Sequence, residues 1–82
     1  MGEPNMKDLL YAIAEGLVAD KDAIQVTQDE PNDEGIIVLH LTVAPEDMGR
    51  VIGKQGRIAK AIRTVMRAGA ARENLKVSVE ID

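Results

Sequence analysis

Gly53-Lys54-Gln55-Gly56 is the stretch of this sequence best suited to chemistry, and that chemistry is the holding of a phosphate backbone. Two glycines three apart free the main chain for a tight turn that a partner can approach closely. Lys54 and Gln55, a cation and an amide, point outward from such a turn. The turn follows a short helical segment that ends near Ile52 and precedes a basic helix that begins at about Arg57. A helix start carries unpaired N–H groups and the positive end of the helix dipole, and both attract anions. The glycine pair alone fits a helix end followed by a turn equally well. Lys54 and the cations after it turn the reading toward phosphate. The spacing is neither G-x-x-x-x-G-K-S/T nor G-x-G-x-x-G, which sets aside the two common nucleotide-binding loops.

The formal net charge of −4 argues against a polyanion only until its distribution is read. Residues 50–72 carry Arg50, Lys54, Arg57, Lys60, Arg63, Arg67 and Arg72 and no acid, whereas residues 1–49 carry eleven acids against Lys7 and Lys21. Solvated helix faces normally mix signs; this segregation is a local electrostatic footprint inside an acidic shell. Arg57 and Lys60 lie nearest the loop. Arg67 and Arg72, about 15 Å further along by helical rise, read as solvated or as part of a partner surface.

The remaining residue types exclude more than they suggest. An 82-residue chain, 45% hydrophobic and 29% charged, makes one soluble domain with one modest core. The absence of cysteine excludes disulfides and thiolate metal sites. Tyr11 is the only aromatic residue, so RNA binding by ring stacking is out. His40 has no ligand partner at metal spacing and no nucleophile beside it, and the acidic clusters lack the pattern of a calcium loop. No acid–base pair, nucleophile or metal set can be assembled, so the expectation is a binding protein without cofactor, metal or small-molecule substrate, not an enzyme. With no apolar span and no leader, it is expected in the cytoplasm and off the membrane.

The elements that must position the loop follow from periodicity. Residues 1–5 are expected to fray, with Asn5 as a helix cap. Leu9, Leu10, Ile13, Ala14 and Leu17 recur at helical spacing and predict a helix over residues 6–19. Residues 23–29 alternate, the acidic segment Glu30 to Gly35 turns, and Ile36 to Val43 alternates again, which predicts an antiparallel hairpin. Pro45 suits a first helical position, followed by Glu46 and Asp47 in the first turn. The basic helix runs to about Ala71, with Ile58, Ala61, Ile62, Val65, Met66 and Gly69 on its apolar half. Asn74 opens a last strand. The order α-β-β-α-α-β, with one apolar face per element, predicts an α+β sandwich with three helices on one face of a mixed three-stranded sheet. No linker divides it, so residues 6–82 form one domain.

With the loop set between two helices in this order, the chain resembles a KH domain of the type II arrangement. Ala44-Pro45-Glu46-Asp47-Met48-Gly49-Arg50 leading into Val51 to Arg63 further resembles the small bacterial KhpA (YlqC) family of single-KH proteins. That resemblance implies a single-stranded RNA-binding protein whose Gly53–Gly56 loop clamps the backbone of about four nucleotides. Carried over, Arg50 and Ile52 precede the clamp, Arg57 and Lys60 follow it, and the strand Ile36–Val43 forms the opposite wall. It also implies a homodimer, pairing with a second KH protein of the KhpB/Jag/EloR kind, and a role in cell elongation, division and cell-wall regulation, with RNA chaperoning as a means.

Two departures from the family pattern bear on the groove. Ala59 stands where many KH sequences have a bulky aliphatic residue, which implies altered helix packing or a shallower wall. The loop with Asp29, Glu30, Asp33 and Glu34 would repel phosphate, which confines binding to the Gly53–Gly56 side. The wide apolar arc of the basic helix, rich in small residues, suggests self-pairing through Ala61, Val65, Met66 and Gly69. The alternative reading is a dimerisation or protein-interaction module with weak nucleic-acid binding.

Overall fold

A computed structural model describes residues 6–81, so the expectations for residues 1–5 and for Asn5 lie outside it. Helix α1 (Met6–Glu15) is followed by strands β1 (Gln25–Gln28) and β2 (Ile36–Thr42), helices α2 (Met48–Ile52) and α3 (Arg57–Arg72), and strand β3 (Lys76–Ile81). The strand order is β1-β2-β3, antiparallel between β1 and β2 and parallel between β2 and β3. The α2–α3 segment is therefore the crossover of a parallel pair, as its length required.

Boundaries differ from the periodic reading where backbone chemistry intervenes. The first helix stops at Glu15 and not at residue 19, because Gly16 follows; the N–H groups of Gly16 and Leu17 turn to carbonyls only three residues back. Pro45–Asp47 is a single tight turn preceding α2 and not its first turn. At the far end of α3, Asn74 adopts φ 59° and the N–H of Leu75 returns to the Ala70 carbonyl. This left-handed cap ends the helix and delays the last strand to Lys76.

The core lies between the helices and the inner sheet face. Leu10, Leu39, Leu41, Val51 and Met66 are fully buried in it, joined by Val77 and Val79. The inner stripe of α3 is Ala59, Ile62, Met66 and Ala70. It is rotated by about 75° from the expected apolar half. Large apolar residues suggested a face centred near Ile58 and Val65, but small alanines at Ala59 and Ala70 let the helix lie close to the sheet. Ala59 thus belongs to the core and not to a groove wall. Val65 is left 49% exposed and Ala61 is also exposed.

Candidate nucleic-acid interface

The loop is built by three left-handed residues in succession of four. The N–H of Gly53 closes α2 on the Gly49 carbonyl at 2.9 Å, and Gly53 then departs at φ 73°, ψ 178°. Gln55 (φ 56°) and Gly56 (φ 74°) are also left-handed. Gly53 is obligatory twice over: its φ excludes an ordinary side chain, and a Cβ there would stand 2.3 Å from Ile58 Cγ1. Gly56 needs only its φ, because a Cβ there would meet nothing within 4 Å. Gly56 is also the N-cap of α3, and no side chain caps the helix start.

Cations surround this turn. Lys54, Arg57 and Lys60 are exposed; Arg57 Nη2 lies 3.5 Å from Gln55 Oε1, so its guanidinium leans back over the loop. Ile52, 38% exposed, offers an aliphatic surface just ahead of Gly53. Arg50 is exposed but engaged, its Nη1 3.2 Å from Asp47 Oδ1. Met66 is fully buried, and a Cβ on Gly69 would stand 3.1 Å from Leu9 of α1, so these two serve the interior packing.

Two residues acquire roles that periodicity did not signal. Arg63, counted with the cation row, donates from Nε to the Val79 carbonyl at 3.2 Å. It closes onto the free edge of β3, the strand beside the basic flank of α3. The strand expected as the opposite wall, β2, is the central one, with its backbone groups committed to both neighbours. Asp47 is the second: 1% exposed, it receives the N–H groups of Ala19 at 3.2 Å and Asp20 at 3.1 Å. These hydrogen bonds, Asp20 first, hold its carboxyl below the usual carboxylate range against the opposing effect of burial, with help from Arg50 and Lys21. Only its proximity to the loop was visible in sequence, since its partners lie 27 and 28 residues away.

The acidic hairpin is kept apart from the loop. Asn32 Oδ1 accepts the N–H groups of Glu34 and Ile36, and Asp29 Oδ2 pairs with His40 Nε2 at 2.9 Å. Ile36 registers with Lys76, just past the C-terminal end of α3. The tip of the acidic hairpin therefore lies toward the C-terminal end of α3, the end away from Gly53–Gly56. Among the described residues no three His, Cys, Asp or Glu side chains converge as a metal site would need.

On another flank of α3, Ile58, Ala61, Ile62 and Val65 face Ile13, Gly16 and Leu17 of the α1 end across an open, almost wholly apolar groove of about 290 Å³. The molecule thus has a cationic loop at one end of α3, a basic flank along β3, and an apolar groove toward α1.

Three helices on one face of a mixed sheet, with a glycine-flanked cationic loop inside the parallel crossover, define a type II KH domain. The chain belongs to the KhpA/KhpB KH-domain family, whose model matches residues 7–81. It is 60% identical over 76 residues to the RNA-binding protein KhpA of Clostridium acetobutylicum, covering 93% of this chain and 99% of that one. It is 57% identical to KhpA of Clostridium perfringens and 42% identical to KhpA of Aquifex aeolicus, each over 93% of this chain and covering 99% and 94% of those proteins. Among solved structures, Aquifex aeolicus Era superposes over 93% of this chain with a TM-score of 0.65 at 20% identity, using 29% of the Era chain. Era in complex with a segment of 16S ribosomal RNA gives the same TM-score at 19% identity, over 99% of this chain and 35% of that one. At such identities the likeness is one of fold.

Proposed function

We propose that this chain binds single-stranded RNA through Gly53–Gly56, without catalysing a reaction. The observation that carries the reading is the loop itself: three left-handed residues at an uncapped helix start, ringed by Lys54, Arg57 and Lys60. Such a turn leaves main-chain donors accessible, and the glycines let a phosphate approach the backbone closely. Lys54 supplies the nearest charge, Arg57 and Lys60 extend it along α3, and Arg50 borders the α2 side. Bases rest on aliphatic surface around Ile52. The KhpA relatives are named as RNA-binding proteins, which supports the same ligand.

With so few cations, a single domain binds weakly and in a salt-dependent way, and a second KH domain raises the affinity by avidity. The second domain is another copy, joined through Ala61 and Val65 beside the apolar groove, or a KhpB/Jag/EloR-like KH protein. The setting is the cytoplasm, in regulation of cell elongation, division and cell wall, with RNA chaperoning as the activity. Among the described residues no helix is long and apolar enough to cross a membrane.

The test is the double substitution Lys54→Asp with Gln55→Asp. Both side chains are exposed, so the circular dichroism spectrum and melting midpoint should stay close to the parent's while binding to single-stranded RNA is lost. Undiminished binding would sink the phosphate-clamp reading. The apolar groove favours a second reading, a protein-interaction module whose RNA binding is incidental; it predicts partner binding that survives this substitution in a chain with no measurable RNA affinity at low salt.

A further inference from the structure

Helix α2 is five residues long, and one turn of helix does not hold its own direction in water. Two residues on one side of it, four apart, fasten it to the molecule. Val51 is fully buried in the core. Asp47, at the N-cap, is the only buried charged residue among those described. Its two oxygens divide their partners: Oδ1 accepts the Ala19 N–H and the Arg50 guanidinium, and Oδ2 accepts the Asp20 N–H. Ala19 and Asp20 lie past the last turn of α1, in irregular chain ahead of the Lys21–Ala23 turn. There the carboxylate does for two main-chain donors what a helix or strand would otherwise do. A buried ionised carboxylate with three donors is stable only when all three stay in place, so its position is sharply defined.

Gly53 follows α2 directly, so the direction of α2 is the direction in which the loop leaves it. We infer that Asp47 is a positioning residue for RNA binding: its carboxylate pins α2 to the chain leaving α1, and thereby sets the orientation in which the Gly53–Gly56 backbone and Lys54 meet phosphate. It also holds the Arg50 guanidinium, at 3.2 Å. The inference rests on the loop being the phosphate site; Asp47 touches no RNA itself and acts through α2.

The experiment compares Asp47→Asn, Lys54→Ala and the double variant for affinity to a short fluorescein-labelled single-stranded RNA. The carboxamide keeps the shape of Asp47 but turns one acceptor into a donor that faces an N–H, and it loses the charge that holds Arg50. Asp47→Asn should stay folded and weaken RNA binding by about fivefold to tenfold. In the Lys54→Ala background the same change should cost much less, because both act through the loop. Full additivity, or unchanged affinity of folded Asp47→Asn, overturns the inference.

A measurement on the unaltered chain covers the case in which Asp47→Asn does not fold. Coupling is reciprocal, so RNA at the loop should slow hydrogen exchange of the Ala19 and Asp20 amides more than that of Gly16 and Leu17. Equal slowing overturns the inference. The two readings fail separately: if Lys54→Asp with Gln55→Asp leaves RNA binding intact, the loop is not the site. If that variant loses binding while Asp47→Asn does not, the loop stands and the positioning role falls.

Discussion

The two flanks of α3 obey opposite rules. On one, Arg57, Lys60 and Arg67 are exposed with no acid between them, and Arg63 closes onto the β3 edge. On the other, Ile58, Ala61 and Val65 border an apolar groove that stands open among the described residues. A helix in a two-layer domain needs only one buried stripe, and α3 already has one in Ala59, Ile62, Met66 and Ala70. The exposed residues of neither flank help folding: like charges along a helix repel, and an aliphatic surface in water loses stabilisation it would gain if buried. The flanks adjoin where Arg57 and Ala61, four residues apart, are neighbours on the helix surface, while Arg67 and Val65 face away from each other. At the loop they join, where Ile58 of the apolar flank stands against Gly53.

That junction is where a substitution does most damage. Gly53→Ala imposes a side chain on a left-handed residue and drives it into Ile58, for a cost of about 2–5 kcal/mol in denaturant unfolding. Gly56→Ala meets open space and should cost only about 1–2 kcal/mol. Equal costs at the two glycines would show that Ile58 does not brace the loop.

The basic flank is broken next, with the fold left alone. Arg57→Gln with Lys60→Gln should lower the affinity for single-stranded RNA and reduce the slope of log affinity against log salt by about 1.4, about 0.7 for each cation lost. An unchanged slope would remove these two from the RNA path. The apolar flank gives the most selective effect. Val65→Asp places a charge at a half-exposed site, so stability should shift by only about 0.5 kcal/mol, while any self-paired species dissociates in sedimentation. A dimer that persists would exclude this helix as the contact, and RNA affinity per domain that falls in parallel would show that the flanks are not independent.

Much of this is legible in the sequence. The order of elements, the mixed sheet and the two ends of the loop follow from alternation, helical spacing and two glycines, all of which act over a few residues. Errors lay at the boundaries, where a single residue decides. Gly16 ended α1 early, and Asn74 took a left-handed cap that moved the start of β3. The face of α3 was misjudged because side-chain size was taken as the measure of burial, whereas close approach to the sheet selects alanine.

Sequence by itself determined that a cationic turn would stand between two helices in an acidic chain, since φ preference, helical period and charge are local properties. Only the tertiary structure decided how α3 is rotated, which in turn made Arg63 a contact of the sheet edge and Val65 a surface residue. Only it brought Asp47 to the amides of Ala19 and Asp20. The physical reason is common to these outcomes: each depends on which groups fill the space beside a residue, and those groups come from parts of the chain with no local relation to it.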